Sequence, residues 1–198
     1  MFVPKKDRVS PFSVFFQLGS GLSDDRLSTK RYLSSMREMY ADSACLEEML
    51  AKEDTLVYEF YELDIPETDN DLAFGISIVY PGKVGNEYFM TKGHFHMLLD
   101  TAEIYYCLSG KGCLLMENPE GDCNIQHMQP GTAVYVPGRY AHRSINIGPE
   151  PLVMFFAFRA DAGHDYKTIE SKGFRKLVVE IDGQLKIGDN PNWIKQDR

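Results

Sequence analysis

The residues best placed to do chemistry in this 198-residue chain are two histidines separated by one position, His94-Phe95-His96. On a strand, residues i and i+2 share a face, so both imidazoles project together and Phe95 points the other way. Two convergent imidazoles begin a metal site. Beyond them Glu103 opens the apolar run Ile104-Tyr105-Tyr106-Cys107-Leu108, where a lone carboxylate is costly unless paired or metal-bound. Downstream, Gly131, Pro137, His142 and Asn146 form Gly-x5-Pro-x4-His-x3-Asn, a strand, turn and strand that can return a third histidine to the same pocket. Three imidazoles and one carboxylate suit Fe(II), Mn(II), Zn(II) or Ni(II), with further coordination positions open to water or a substrate oxygen. His127 lies outside this pattern and reads as a surface histidine; Asp165 reads as a group that orients a neighbour.

Positioning these groups requires a β framework, and the sequence carries one. From Thr55 onward, β-branched and aromatic runs alternate with Gly, Pro, Asn and Asp clusters. Strands are expected at 56–63, 73–80, 102–108, 112–117, 132–136, 141–147, 152–158, 176–181 and 184–187. Turns at Pro81-Gly82-Lys83, Ser109-Gly110-Lys111-Gly112, Glu120-Gly121-Asp122 and Asp182-Gly183 separate them. Many short strands at regular spacing predict a sandwich or barrel. Most of the helical signal lies early, at 43–52, where Asp42 can cap and Leu46, Met49 and Leu50 form an apolar face. The stretch 32–40, with Leu33, Met36 and Tyr40, fits either a helix or irregular structure. The expected organisation is an extension at 1–54, with a short helix packed on the barrel, and a β-barrel domain at 55–198.

Composition bounds the rest. A hydrophobic content of 43% with 25% charged residues describes a globular chain, and no apolar run is long enough to span a membrane. The net charge of −8 disfavours nucleic acid and anionic membrane as partners. Cys45, Cys107, Cys113 and Cys123 contain no CxxC pair and read as free thiols, which together with a start unlike a signal peptide leads to the expectation of a cytoplasmic protein.

The pattern resembles the cupin superfamily. His94, His96, Glu103 and Gly110 match its first motif, and Gly131, Pro137, His142 and Asn146 its second. The spacing from His96 to Glu103 is longer than usual, and Arg139 stands where a glycine is common. Within the superfamily, the run from Pro81 to His96, with Ala162-Gly163-His164-Asp165-Tyr166, resembles cupin-type phosphoglucose isomerase, a group best known in archaea. The resemblance covers Tyr58 to the C-terminus. It implies an all-β jelly-roll barrel (a double-stranded β-helix), a homodimer, one divalent metal per subunit with Fe2+ or Mn2+ favoured over Zn2+ or Ni2+, and interconversion of glucose 6-phosphate and fructose 6-phosphate in glycolysis and gluconeogenesis.

By the same resemblance His94, His96, Glu103 and His142 hold the metal, Glu103, Tyr105 and His164 are catalytic, and Tyr58, Ser77, Thr91, Gly93 and Tyr166 bind substrate. Ser77 stands where threonine is expected and keeps the hydroxyl; Phe158 stands where tyrosine is expected and loses it. Glu103 is the candidate base for a cis-enediol route, and a hydride shift competes with it. Two other readings stay open: a dioxygenase-like metal cupin, which would consume oxygen, and a non-enzymatic sugar-phosphate-binding cupin. The aromatic content, 12 Phe, 11 Tyr and 1 Trp, leaves rings for an interface, and the run Phe12-Ser13-Val14-Phe15-Phe16 is expected to add a strand or cover a barrel mouth.

Overall fold

The computed structural model describes residues 10–21, 23 and 27–195. Two sheets face one another. The larger has six antiparallel strands in the spatial order Thr29–Tyr32, Leu56–Glu62, Leu72–Val79, Leu152–Arg159, Glu103–Ser109 and Ala133–Val136. The smaller runs Ala141–Asn146, Gly112–Glu117, Cys123–Met128. Isolated bridges from Met90 to Ile145 and from His94 to His142 attach the segment that precedes the two histidines to the edge of the smaller sheet. Two smaller ladders complete the strands: Phe95–His96 with His164–Asp165, and a C-terminal hairpin, Lys176–Ile181 and Gln184–Asp189, that continues into Glu87–Tyr88 and Lys83–Val84.

The period-2 pattern does the positioning. Along Glu103–Ser109, Glu103, Tyr105 and Cys107 are buried while Ile104 and Tyr106 are exposed, so one face of the strand lines the interior. Leu114, Leu152 and Met154 are fully buried and fill the space between the sheets, while Leu115 and Ile145 are buried on the opposite face of the smaller sheet. The nine expected strands are all present, within two residues at either end.

Several elements depart from expectation for local reasons. The stretch after Tyr32 is a 3-10 helix, Leu33–Met39, with Leu33, Met36 and Met39 buried; apolar residues three apart match a helix of three residues per turn. The strand Cys123–Met128 was not expected, because its exposed positions are Asn124, Gln126 and His127 and only Ile125 and Met128 carry an apolar signal. The strand Thr29–Tyr32 and the short helix Tyr166–Lys172 were not expected either. Asp165 caps that helix, accepting from the Thr168 N–H at 3.1 Å. The helix Ser43–Leu50 forms as read, with Asp42 accepting from the Cys45 N–H at 2.9 Å. The run Phe12–Phe16 forms no strand and covers no mouth. Phe12 stacks on Phe74, and Phe15 and Phe16 lie along the outer face of the large sheet beside Ile76, Ile104 and Phe155. All four cysteines are free, Cys107 and Cys113 buried and Cys45 and Cys123 half-buried, and His127 is exposed. Among the described residues no helix is long and apolar enough to cross a membrane.

Candidate active site

Between the sheets lies a cavity of about 60 Å³. The large sheet supplies Tyr58, Phe60 and Glu62 from one strand, Ser77 from the next, Phe156 and Phe158 from the third, and Glu103 and Tyr105 from the fourth. His142 faces them from the smaller sheet, Thr91, Gly93 and His94 from the bridging segment, and His164 and Tyr166 from the entry to the C-terminal helix. Every expected substrate or catalytic residue is therefore on the cavity wall. His96 is buried beside it and lines a neighbouring pocket with Met97 and Leu99.

The four expected ligands converge. One donor atom from each of His94, His96, Glu103 and His142 lies within 4.8 Å of the other three, and all four residues are buried. Glu103 Oε2 is 2.9 Å from His142 Nε2 and 3.1 Å from His96 Nε2. The outer ring nitrogens decide what these contacts are. His96 Nδ1 faces the Thr101 carbonyl at 3.1 Å and the Thr101 Oγ1 at 2.7 Å, and that hydroxyl gives its own hydrogen to the Leu98 carbonyl at 2.7 Å. With acceptors on that side, Nδ1 carries the proton. His142 Nδ1 similarly faces the Tyr140 carbonyl at 3.3 Å. In the neutral rings, Nε2 of His96 and of His142 are then bare lone pairs aimed at a carboxylate oxygen, and buried His94 Nε2 has no hydrogen-bond partner at all. Lone pairs converging on an anion need a cation between them. A divalent metal fits this donor set.

The electrostatics agree. Burial by itself would raise the Glu103 carboxyl; only positive charge facing it, on the imidazoles or on a cation held between them, brings it well below the usual carboxylate range. Burial pushes His94 well below the ordinary imidazole value, with the neighbouring His142 and His164 adding to the effect. His164 is lowered to about 4, mainly by burial, so its ring is neutral at physiological pH. It packs edge-on to His94, with ring centroids 4.4 Å apart, and also against Phe158. Burial and the Glu103 charge raise Tyr105 well above the ordinary phenol value, and burial does the same to Tyr58 and Tyr166. All three hydroxyls keep their hydrogens and remain donors. Thr91 Oγ1 accepts from the Ser144 N–H at 3.0 Å, which leaves the hydroxyl hydrogen to point elsewhere.

Sequence reasoning missed Phe60, Glu62 and Phe156 on the wall. Phe60 and Glu62 follow Tyr58 at i+2 and i+4, so strand alternation alone was enough to find the first two. Thr101, which orients His96, and Arg143, which lies behind Gly93, carried no such signal.

A two-sheet β-barrel that presents three histidines and one glutamate from opposite walls to a single interior point defines a metal-binding cupin. Within that class, the chain belongs to the glucose-6-phosphate isomerase family, whose model, described as Glucose-6-phosphate isomerase (GPI), matches residues 30–193. The glucose-6-phosphate isomerase of Pyrococcus furiosus is 47% identical over 185 residues, covering 93% of this chain and 98% of that protein. The enzyme of that name from Thermococcus litoralis is 45% identical over 183 residues, covering 92% and 96%. Among solved structures, an oxalate oxidase in complex with the substrate analogue glycolate overlays with a TM-score of 0.48 at 14% identity, over 59% of this chain and 58% of that one.

Proposed function

We infer that this chain interconverts D-glucose 6-phosphate and D-fructose 6-phosphate. The observation that carries the reading is the cavity of a glucose-6-phosphate isomerase family member with two chemically distinct regions: four converging metal donors, and hydroxyl and backbone donors at Tyr58, Ser77, Thr91 and Gly93. A divalent metal held by His94, His96, Glu103 and His142 would supply a Lewis acid for the oxygens on C1 and C2. The chain's own groups do the rest. The hydroxyls and the Gly93 N–H bind the phosphate, and that binding energy places C1 and C2 at the donor cluster. Phe156 and Phe158 exclude water beside them. Glu103 moves the proton between C1 and C2, its Oε2 being turned to the imidazoles. Tyr105, whose hydroxyl lies against the Glu103 carboxylate, and neutral His164 hold the sugar oxygens.

We assign Fe2+ or Mn2+ as the occupant, with Zn2+ and Ni2+ as competitors, because imidazole and carboxylate donors without a thiolate accept all four. A phosphorylated substrate and four free thiols support a cytoplasmic setting. A homodimer is supported by the apolar outer face of the large sheet, where Phe15, Leu18, Ile104 and Tyr106 are exposed together. Sedimentation at micromolar concentration tests it, and a monomer there rejects it.

The deciding experiment is anaerobic incubation of metal-loaded protein with glucose 6-phosphate, following fructose 6-phosphate. Turnover without oxygen, with free glucose a very poor substrate, supports the reading. No turnover, or comparable rates on the two sugars, rejects it.

A further inference from the structure

Among the described residues no lysine or arginine lines the cavity wall itself, which carries Glu103, and Arg31 reaches the site only at the Tyr58 hydroxyl. A dianionic phosphate entering such a site in a chain of net charge −8 is favoured by positive potential beyond that of Arg31 and a metal at the donor cluster. We propose that Arg143 adds to it as a positioning residue, gripping the carbonyl of Lys92 and thereby strengthening the Gly93 N–H as a phosphate donor. The inference rests on the substrate reading above, since it names the source of phosphate recognition in that same site.

Arg143 follows His142 on its strand, and strand alternation turns its side chain away from the cavity. It is 3% exposed, and no carboxylate of the described residues lies at ion-pair distance from it. Its partners are unusual for a buried charge. Nη2 donates to the Lys92 carbonyl at 2.6 Å and lies 3.7 Å from Met39 Sδ; Nη1 is 3.0 Å from Met90 Sδ; the guanidinium lies 4.4 Å from the centroid of the Phe174 ring. Nε has no partner. Glu87 and Tyr40 are its nearest electrostatic neighbours, and Glu87 spends one oxygen on the Ala41 N–H at 3.0 Å. A buried cation without a paired anion is costly, and a purely structural role is filled more cheaply by an apolar side chain.

The Lys92 carbonyl and the Gly93 N–H are the two ends of one peptide unit, and in a trans peptide they point in opposite directions. The chain contains no cis peptide among the described residues. With the carbonyl end held by Arg143 on the far side, the N–H end is directed toward the cavity that Gly93 lines. That N–H takes no acceptor among the described residues, although Gly93 is buried. A charge-assisted bond to the carbonyl polarises the amide and makes its hydrogen a better donor. The geometry is rigid: Gly93 has φ of +75°, and a Cβ there would meet Phe174 Cε2 at 2.7 Å, the His142 carbonyl at 2.8 Å and Arg143 Cβ at 2.9 Å. A side chain at this position would collide with the strand that carries Arg143 and disturb the peptide it holds.

The test compares Arg143→Met, which suits the thioether and aromatic surroundings, with Arg143→Lys, which retains a cation. In metal-loaded protein, Arg143→Met is expected to weaken binding of inorganic phosphate about tenfold or more. It should raise KM for glucose 6-phosphate in parallel, while kcat stays within about threefold and metal content is unchanged; Arg143→Lys should recover most of the loss. Phosphate affinity within twofold of wild type in folded Arg143→Met overturns the proposal, as does a fall in kcat with KM unchanged. Should Arg143→Met not fold, the wild-type zinc-loaded protein decides through the Gly93 amide proton, which is expected to move downfield on phosphate titration and to move less in Arg143→Lys. A Gly93 resonance unmoved at saturating phosphate overturns it. Failure of the isomerase reading is separate, seen as wild-type protein that binds phosphate through Gly93 but does not turn over glucose 6-phosphate.

Discussion

His142 and Glu103 belong to strands of opposite sheets, and His142 Nε2 lies 2.9 Å from Glu103 Oε2. The contact closes the barrel across its interior, and a metal there would tie both sheets to the segment carrying His94 and His96. Ligand binding to the native state alone stabilises it by RT ln(1 + [L]/Kd), about 2.7 kcal/mol at a hundredfold excess over Kd. Chelation should therefore lower the Tm of the loaded protein by on the order of 5–10 °C. In His142→Ala the same treatment should have little effect, because the site is already broken. Equal chelator sensitivity in both proteins, measured by scanning calorimetry, would remove His142 from the ligand set.

Glu103 carries two assignments, ligand and base, which metal saturation separates. In Glu103→Gln the amide oxygen can still coordinate, but it cannot accept a proton as a carboxylate does. With the site shown to be full by elemental analysis, the rate should fall on the order of a hundredfold or more. A near-normal rate would take the base role from Glu103 and favour a hydride shift. Incorporation of solvent deuterium at the transferred hydrogen is an independent sign of the enediol route.

Glu117 is fully buried and accepts from Lys172 Nζ, from Trp193 Nε1 at 3.0 Å and from the Arg175 N–H at 2.6 Å. These bonds tie the C-terminal helix and tail to the smaller sheet, and Lys172 also lies over the ring of Phe95, between the two histidines. Removing one partner leaves an uncompensated buried charge, so Glu117→Ala should cost about 3–5 kcal/mol by chemical denaturation. The double variant Glu117→Met, Lys172→Met should regain much of that loss. A double variant no more stable than Glu117→Ala would contradict the charge explanation.

Burial raises the Glu87 carboxyl to about 7, against smaller opposing effects from the Ala41 N–H and Arg143. Between its ordinary value and about 7 the native state retains a proton that the unfolded chain has released. The associated stability is complete at low pH, is lost as pH rises through about 7, and does not change further above that. Glu87→Gln can still accept from Ala41, and should remove this slope and stabilise the protein at pH 8 by on the order of 3 kcal/mol. Urea unfolding at pH 5 and pH 8 checks this; an unchanged difference between the two pH values would show that Glu87 titrates normally.

The candidate donors and most of the strands were legible in the sequence because both depend on local properties. His94 and His96 share a face by strand geometry alone, and an acidic residue before an apolar strand announces a paired carboxylate, whereas the stretch 32–40 fits helix and irregular structure equally until packing buries Leu33, Met36 and Met39. Convergence is different in kind. Whether His142 Nε2 meets Glu103 depends on how two sheets pack, which no periodicity encodes. Thr101 locks the His96 ring only because the turn after it folds back, and Arg143 looks like any strand cation until tertiary packing encloses it beside the Lys92 carbonyl. Side-chain type and alternation set which groups are available on each face; the long-range packing of the two sheets sets the distances between them, and those distances determine whether donors become a metal site and whether a buried charge can reach a ligand through a peptide.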